Sequence, residues 1–187
     1  MTKVRNVAVL VGSLRKGSLN RRAALALARL APERLRLEIV EIGALPLYDE
    51  DADADPPAAW TAFRERIAPA DAVLFVSPEY NRSIPGVLKN AIDVGSRPPA
   101  QSVWRGKPAA VITLSPGAIG GFGANHHLRQ SLVFLDMPTM QQPEAYVGHA
   151  AELFDDTGAI GSEGARGFFR AFIAAFDAWI DRLAPPS

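Results

Sequence analysis

The sequence contains no cysteine, which removes disulfides, thiolate metal sites and a cysteine nucleophile together. It also lacks an excess of either charge, since 20 Lys and Arg are matched by 20 Asp and Glu. A general nucleic-acid surface or an anionic membrane would select a cationic surplus, so neither is expected as a partner. No apolar run reaches the roughly 18 residues that a membrane-spanning helix requires. Behind Lys3 and Arg5 the apolar stretch extends only from Val7 to Val11, too short for the centre of a secretion signal. A cytoplasmic location is the default expectation. What remains is an ordinary globular composition, 48% apolar over 187 residues, enough for one domain spanning 1–187 around a sizeable core.

Five aliphatic or β-branched runs recur: Val4 to Val11, Leu35 to Ile42, Ala72 to Val76, Ala109 to Leu114, and a weaker one around Thr139 to Val147. Helical patterns separate them. Asn20 is a candidate cap for a first helix through Ala31, with Leu19, Ala23, Leu27 and Leu30 on one face. A second helix is predicted over Ala58 to Ile67, and a third opens after Pro85, a favoured first helical position. A fourth spans about His126 to Leu135. The last, "ARGFFRAFIAAFDAWIDRL", carries Phe168, Phe172, Phe176 and Trp179 along one stripe. Regular alternation of this kind predicts an α/β protein with a parallel sheet covered on both faces. Right-handed crossovers cover both faces only if strand order reverses, as in the five-stranded order 2-1-3-4-5, with the ligand site at the carboxyl ends of the strands.

The loops expected to converge there are unusual. After the first strand comes "GSLRKGSLN", in which Gly12 and Gly17 have four residues between them, but Ser18 occupies the place of the lysine of a nucleotide-triphosphatase loop. The spacing G-x-G-x-x-G of a dinucleotide fold is also missing. Ser13, Ser18 and Asn20 offer short polar groups, the following helix offers free N–H groups, and Arg15 offers a planar guanidinium, a donor set suited to a terminal phosphate. A capped helix with solvated charges is the alternative reading of the same residues. After the third strand, Pro78 and Pro85 stiffen a loop carrying Glu79, Tyr80 and Asn81, able to line the edge of a planar ring. After the fourth, Ser115 is followed by Gly117, Gly120, Gly121 and Gly123, which allow close backbone approach or simply a turn. The alternating Asp51, Asp53 and Asp55 resemble a calcium loop, but Pro56 replaces the glycine and Ala62 the closing glutamate, so a solvated loop is expected.

"GSLRKGSLN" taken with "PEYNRSIPGVLKNAIDVGSRP" resembles the NADPH-dependent FMN reductase family, in particular its quinone and chromate reductase branch, and the similarity extends to "HLRQSLVFLD" and "PEAYVG". The resemblance implies a flavodoxin-like three-layer sandwich that binds FMN and takes electrons from NADPH or NADH. It implies that Ser13, Leu14, Arg15, Gly17, Ser18, Leu19 and Asn20 hold the FMN phosphate. Pro78, Glu79, Tyr80 and Asn81 would line the isoalloxazine ring, with Ser115 and Gly117 as further flavin contacts. No catalytic side chain is expected, because the flavin carries the chemistry: ping-pong reduction of quinone-like acceptors, with chromate, azo compounds or free flavin as side substrates. A homodimer through the third and fourth helices is implied, or a homotetramer, although Val94 and Gly123 stand where relatives often carry tryptophan and arginine. The competing functions are an electron carrier of the flavodoxin type and a reductase supplying reduced FMN to a monooxygenase.

Overall fold

The computed structural model describes residues 3–155 and 157–184. Its sheet has five parallel strands in the order β2-β1-β3-β4-β5. They are β1 (Arg5–Val11), β2 (Leu35–Ile39), β3 (Ala72–Ser77), β4 (Ala109–Leu114) and β5 (Tyr146–Val147). The helices are α1 (Leu19–Leu30), α2 (Ala58–Ile67), α3 (Gly86–Gly95), α4 (Phe122–Phe134) and α5 (Glu163–Leu183). The direction of strand addition reverses between β1 and β3, so their carboxyl ends open the crevice expected of this topology.

Alternation along the central strands divides the interior into two cores, because successive side chains of a strand point to opposite faces. Val7, Val9, Val11, Leu74, Val76, Ile112 and Leu114 pack with the buried faces of α1 and α5. Ala8, Leu10, Val73, Phe75 and Val111 pack with α2, α3 and α4. Every residue of β3 and β4 is buried, as a strand covered on both faces requires. Trp60 and Trp104 fill the second core, and each satisfies its indole N–H on a backbone carbonyl, Pro46 O and Ile92 O.

Several boundaries differ from the sequence reading. Helix α1 is capped by Ser18, not Asn20: Ser18 is extended and its Oγ accepts the Arg21 N–H, which starts the helix at Leu19. Pro85 takes the cap position of α3 instead of its first helical position. Helix α4 begins at Phe122, a full turn before His126, and β5 shrinks to two residues, with only an isolated bridge pairing Thr139 to Ala109. Strand β2 ends at Ile39, although Val40 still donates to Val9 O. On α5 the buried face runs through Phe169, Phe172, Ile173, Phe176 and Ile180, so Phe168 and Trp179 flank the core instead of lining it. A 3.6-residue period rotates the face away from a strict four-residue stripe. The acidic stretch folds around its own side chains: Asp49 caps a short helical turn at Glu50–Ala52, and the Tyr48 hydroxyl bonds Asp53.

Candidate functional site

Loop 1, residues 12–18, leaves β1 and enters α1 directly. Ser18 is buried and its Oγ accepts the Arg21 N–H, which leaves its own hydroxyl proton free to donate. The N–H groups of Leu19 and Asn20 lie in the first turn, where no intrahelical acceptor exists. Asn20 is buried with an Oδ1 that has no hydrogen-bond partner. An orphaned acceptor behind a helix N-terminus is costly unless something supplies a donor. The neighbouring cations separate by use. Arg21 forms a two-pronged pair with Glu41, which raises its own pKa and lowers that of the carboxyl, and Arg22 lies over the Phe154 ring. Arg15 is exposed and has no ion pair among the described residues, so it is a guanidinium available at the loop. Ser13 is half-buried, while Leu14 and Gly17 are exposed and Leu19 packs partly on the first core.

Loop 3, after β3, is a tight hairpin. Tyr80 N–H bonds Ser83 O at 3.0 Å and Ser83 N–H bonds Tyr80 O at 2.9 Å, while Asn81 and Arg82 between them both have positive φ, 50° and 64°. Two left-handed residues in succession make a type I′ turn, for which asparagine is well suited and arginine is not. Tyr80 is 49% exposed on this turn, a large aromatic surface facing solvent. Pro78 is half-buried, its carbonyl accepting Ser77 Oγ.

Loop 4, after β4, meets loop 3 through Glu79. One oxygen of this carboxylate accepts the Ala124 N–H at 3.0 Å and the other accepts Arg82 at 3.2 Å. The cap residue of α4 is Gly121, left-handed at φ 79° and without a side chain to cap the helix. Glu79 therefore provides the cap from a different loop, and its negative charge suits a helix N-terminus. Gly123 is required by the same closeness, since a Cβ there would lie 2.6 Å from Arg82 O. Ser115 Oγ accepts the Gly117 N–H, and the Gly117 carbonyl accepts His149 N–H, so this loop is braced from both sides. Buried Asn125 bonds Thr113 and Ala145 O and is itself held by Arg129.

The fold thus brings Ser13, Leu14, Arg15, Gly17, Ser18, Leu19 and Asn20 to the end of β1, Pro78, Glu79, Tyr80 and Asn81 to the end of β3, and Ser115 and Gly117 to the end of β4. The sequence reading missed the aromatic group beside them. Phe122, His126 and Tyr146 cluster at the start of α4 and in β5, with ring centroids 4.2 Å apart for Phe122 and His126. The Tyr146 hydroxyl lies 3.3 Å from His126 Nε2, and desolvation, helped by Glu144, raises its pKa. It also missed the pairing of Ser83 with His127, whose side chains meet at 2.9 Å. A nonlocal contact of that kind leaves no spacing signal.

Known proteins place this arrangement. The chain is 64% identical over 181 residues to a quinone reductase of Pseudomonas putida, covering 96% of this chain and 97% of that one. It is 50% identical to a 2-hydroxy-1,4-benzoquinone reductase of a Burkholderia species, with 93% and 95% covered. Among solved structures, FerB from Paracoccus denitrificans, a flavoenzyme NAD(P)H:(acceptor) oxidoreductase, matches with a TM-score of 0.91 and 45% identity over 96% of this chain and 98% of that one. Residues 5–152 match the family model described as NADPH-dependent FMN reductase. These matches bear out the resemblance read from the two loops, and the chain belongs to the NADPH-dependent FMN reductase family, flavoenzymes that use FMN with a nicotinamide electron donor.

Proposed function

We propose that this protein is an NAD(P)H-dependent quinone reductase that works through bound FMN in two alternating half-reactions. The observation that carries the reading is the convergence, at the carboxyl ends of β1, β3 and β4, of a phosphate-type helix start, an exposed aromatic turn and a braced glycine loop. FMN suits the groups present on two independent grounds. Arg15, the Ser18 hydroxyl and the first-turn N–H groups of α1 favour a dianionic phosphate. The orphaned Oδ1 of Asn20 needs a donor, which a ribityl hydroxyl supplies.

When bound, FMN supplies hydride acceptance from the nicotinamide and delivery to the quinone. The chain's part is binding and orientation. Loop 1 holds the phosphate end, and the type I′ turn presents the Tyr80 ring and the Asn81 backbone toward the planar end. Ser115 and Gly117 border the same opening. Tyr80 leaves the ring region open to planar acceptors, unlike the enclosed flavin of a carrier that passes single electrons between proteins. Chromate, azo compounds and free flavin are side substrates on this reading.

The active form is proposed to be a homodimer through α3 and α4. Val133 and Phe134 at the end of α4 are 76% and 81% exposed, beside a groove of about 340 Å³ that includes Lys89, Ile92, Asp93 and Leu135. Exposed apolar residues next to a groove are typical of a protein contact. The tetramer alternative relies on an arginine near position 123, where the Arg82 carbonyl leaves no room for a side chain as the loop stands. Among the described residues no helix is long and apolar enough to cross a membrane; a cytoplasmic site of action is part of the proposal.

Steady-state kinetics test the mechanism. Varying NADPH at several quinone concentrations is expected to give parallel double-reciprocal lines. Intersecting lines that require a ternary complex would overturn it. Lack of turnover by a flavin-loaded protein would favour the electron carrier, and loss of the flavin on simple dialysis would favour a supplier of reduced FMN.

A further inference from the structure

The loop that presents Tyr80 and Asn81 is fastened to α4 on both sides of its turn. Before the turn, the Glu79 carboxylate accepts the Ala124 N–H. After it, Ser83 Oγ and His127 Nδ1 are hydrogen-bonded at 2.9 Å. Between the two, Gly123 lies flat against the Arg82 carbonyl. Residues 124 and 127 are one turn apart on α4, so the helix offers two anchor points on one side, and residues 79 and 83 flank a turn of two left-handed residues. Arg82 has no glycine-like tolerance for its φ of 64°, so the turn is held in a conformation that local preference does not favour. The anchors supply that constraint from outside the loop.

We propose that His127, through Ser83, is a positioning residue that together with Glu79 clasps the ring-presenting turn to α4. His127 does not act as an acid or base in this account. Its Nδ1 is engaged with the Ser83 hydroxyl, and its work is to fix where the Tyr80 and Asn81 backbone stands. The inference rests on the FMN reading above. It adds that the turn proposed to line the flavin's planar end is set in place by α4, through His127 and Ser83.

Four full-length variants test it: Ser83→Ala, His127→Ala, the two alanines combined and His127→Asn, each titrated as apoprotein with FMN. Binding is read by quenching of flavin fluorescence, ring placement by the visible circular dichroism of the bound flavin, and folding by the apoprotein melting temperature. Either alanine is expected to weaken FMN about 5-fold, the scale of one hydrogen bond, and to alter the visible dichroism, with the melting point moved by less than about 2 °C. The double alanine variant is expected to be no weaker than either single one, because both remove one contact. His127→Asn places an amide close to the Nδ1 position and is expected to restore affinity to within about 2-fold and the wild-type dichroism. Wild-type affinity and dichroism in the alanine variants would overturn the clasp, as would a lowered melting point that asparagine fails to rescue. A wild-type protein with no affinity for FMN would instead overturn the reading of the site itself.

Discussion

The two ends of the sheet handle their polar groups in opposite ways. At the amino end charges are spent on one another. Arg34 pairs with Asp177 at 2.7 Å and with Asp181 at 2.6 Å, and Arg5 lies 3.7 Å from both Asp71 and Asp181. Lys107 donates to the carbonyls of Ala68 and Ala70 at the end of α2, and burial lowers its pKa. Arg5 Nε and Asp177 Oδ1 lack direct partners, yet both belong to side chains already in ion pairs. At the carboxyl end the pairing is incomplete: Arg21 holds Glu41 and Arg82 holds Glu79, but Arg15 has no counter-ion among the described residues, Asn20 Oδ1 has no donor, and Tyr80 projects into solvent. The end that is left partly open is the one at which the flavin site is proposed.

The contrast can be broken by exchanging effects between the ends. The largest change is expected at the amino end: Asp177→Ala leaves the Arg34 guanidinium short of its best partner and should cost about 3 kcal/mol of stability in urea unfolding. FMN affinity should be unaltered. The reverse pattern is expected for Arg15→Gln, which loses one charge-assisted contact to phosphate. FMN dissociation should rise roughly 30-fold, about 2 kcal/mol, with an unchanged apoprotein melting curve. Ser18→Ala combines the two effects, because the same hydroxyl caps α1 and faces the loop; about 1 kcal/mol of stability should be lost along with FMN affinity. A loss of stability in the Arg15 variant, or of flavin binding in the Asp177 variant, would dissolve the distinction.

The smallest effect lies in the hairpin that Arg22 touches. Asp155 accepts the Thr157 hydroxyl and the N–H groups of Thr157 and Ala159, and these bonds hold its pKa below the ordinary carboxyl value. A lowered folded pKa means a contribution that is complete above the unfolded value and is lost as pH falls through the folded one. Protection of the Thr157 and Ala159 amides, taken relative to the exchange rate of an unstructured chain at the same pH, should therefore be present at neutral pH and be lost only in acid below the usual aspartate range. Exchange that is fast at pH 7 would contradict that turn.

Much of this plan was readable from residues alone. The aliphatic runs of β1, β3 and β4 are covered on both faces and so carry a continuous apolar signal, which marked their carboxyl ends and the three loops that follow. Shorter-range choices were less visible. Ser18 and Asn20 are both good caps and both are buried, and only the Arg21 N–H bond to Ser18 Oγ, visible in the structure, decides between them. The start of α4 was hidden because "GGFG" reads as a flexible turn, while its cap comes from Glu79, 45 residues earlier. Strand β5 gave a weak signal because it pairs only with Thr113 and Leu114. The pairing of His127 with Ser83 left no trace in the sequence, since the two residues are 44 positions apart.

The most direct measurement is an anaerobic titration of the purified protein, first with FMN, then with NADPH, then with a quinone. The account predicts one tightly held FMN per chain, bleaching of its visible absorbance by one equivalent of NADPH, and full return of the colour on adding one equivalent of quinone. A protein that cannot be loaded with FMN, or whose bound flavin stays oxidised with NADPH and NADH alike, would contradict it.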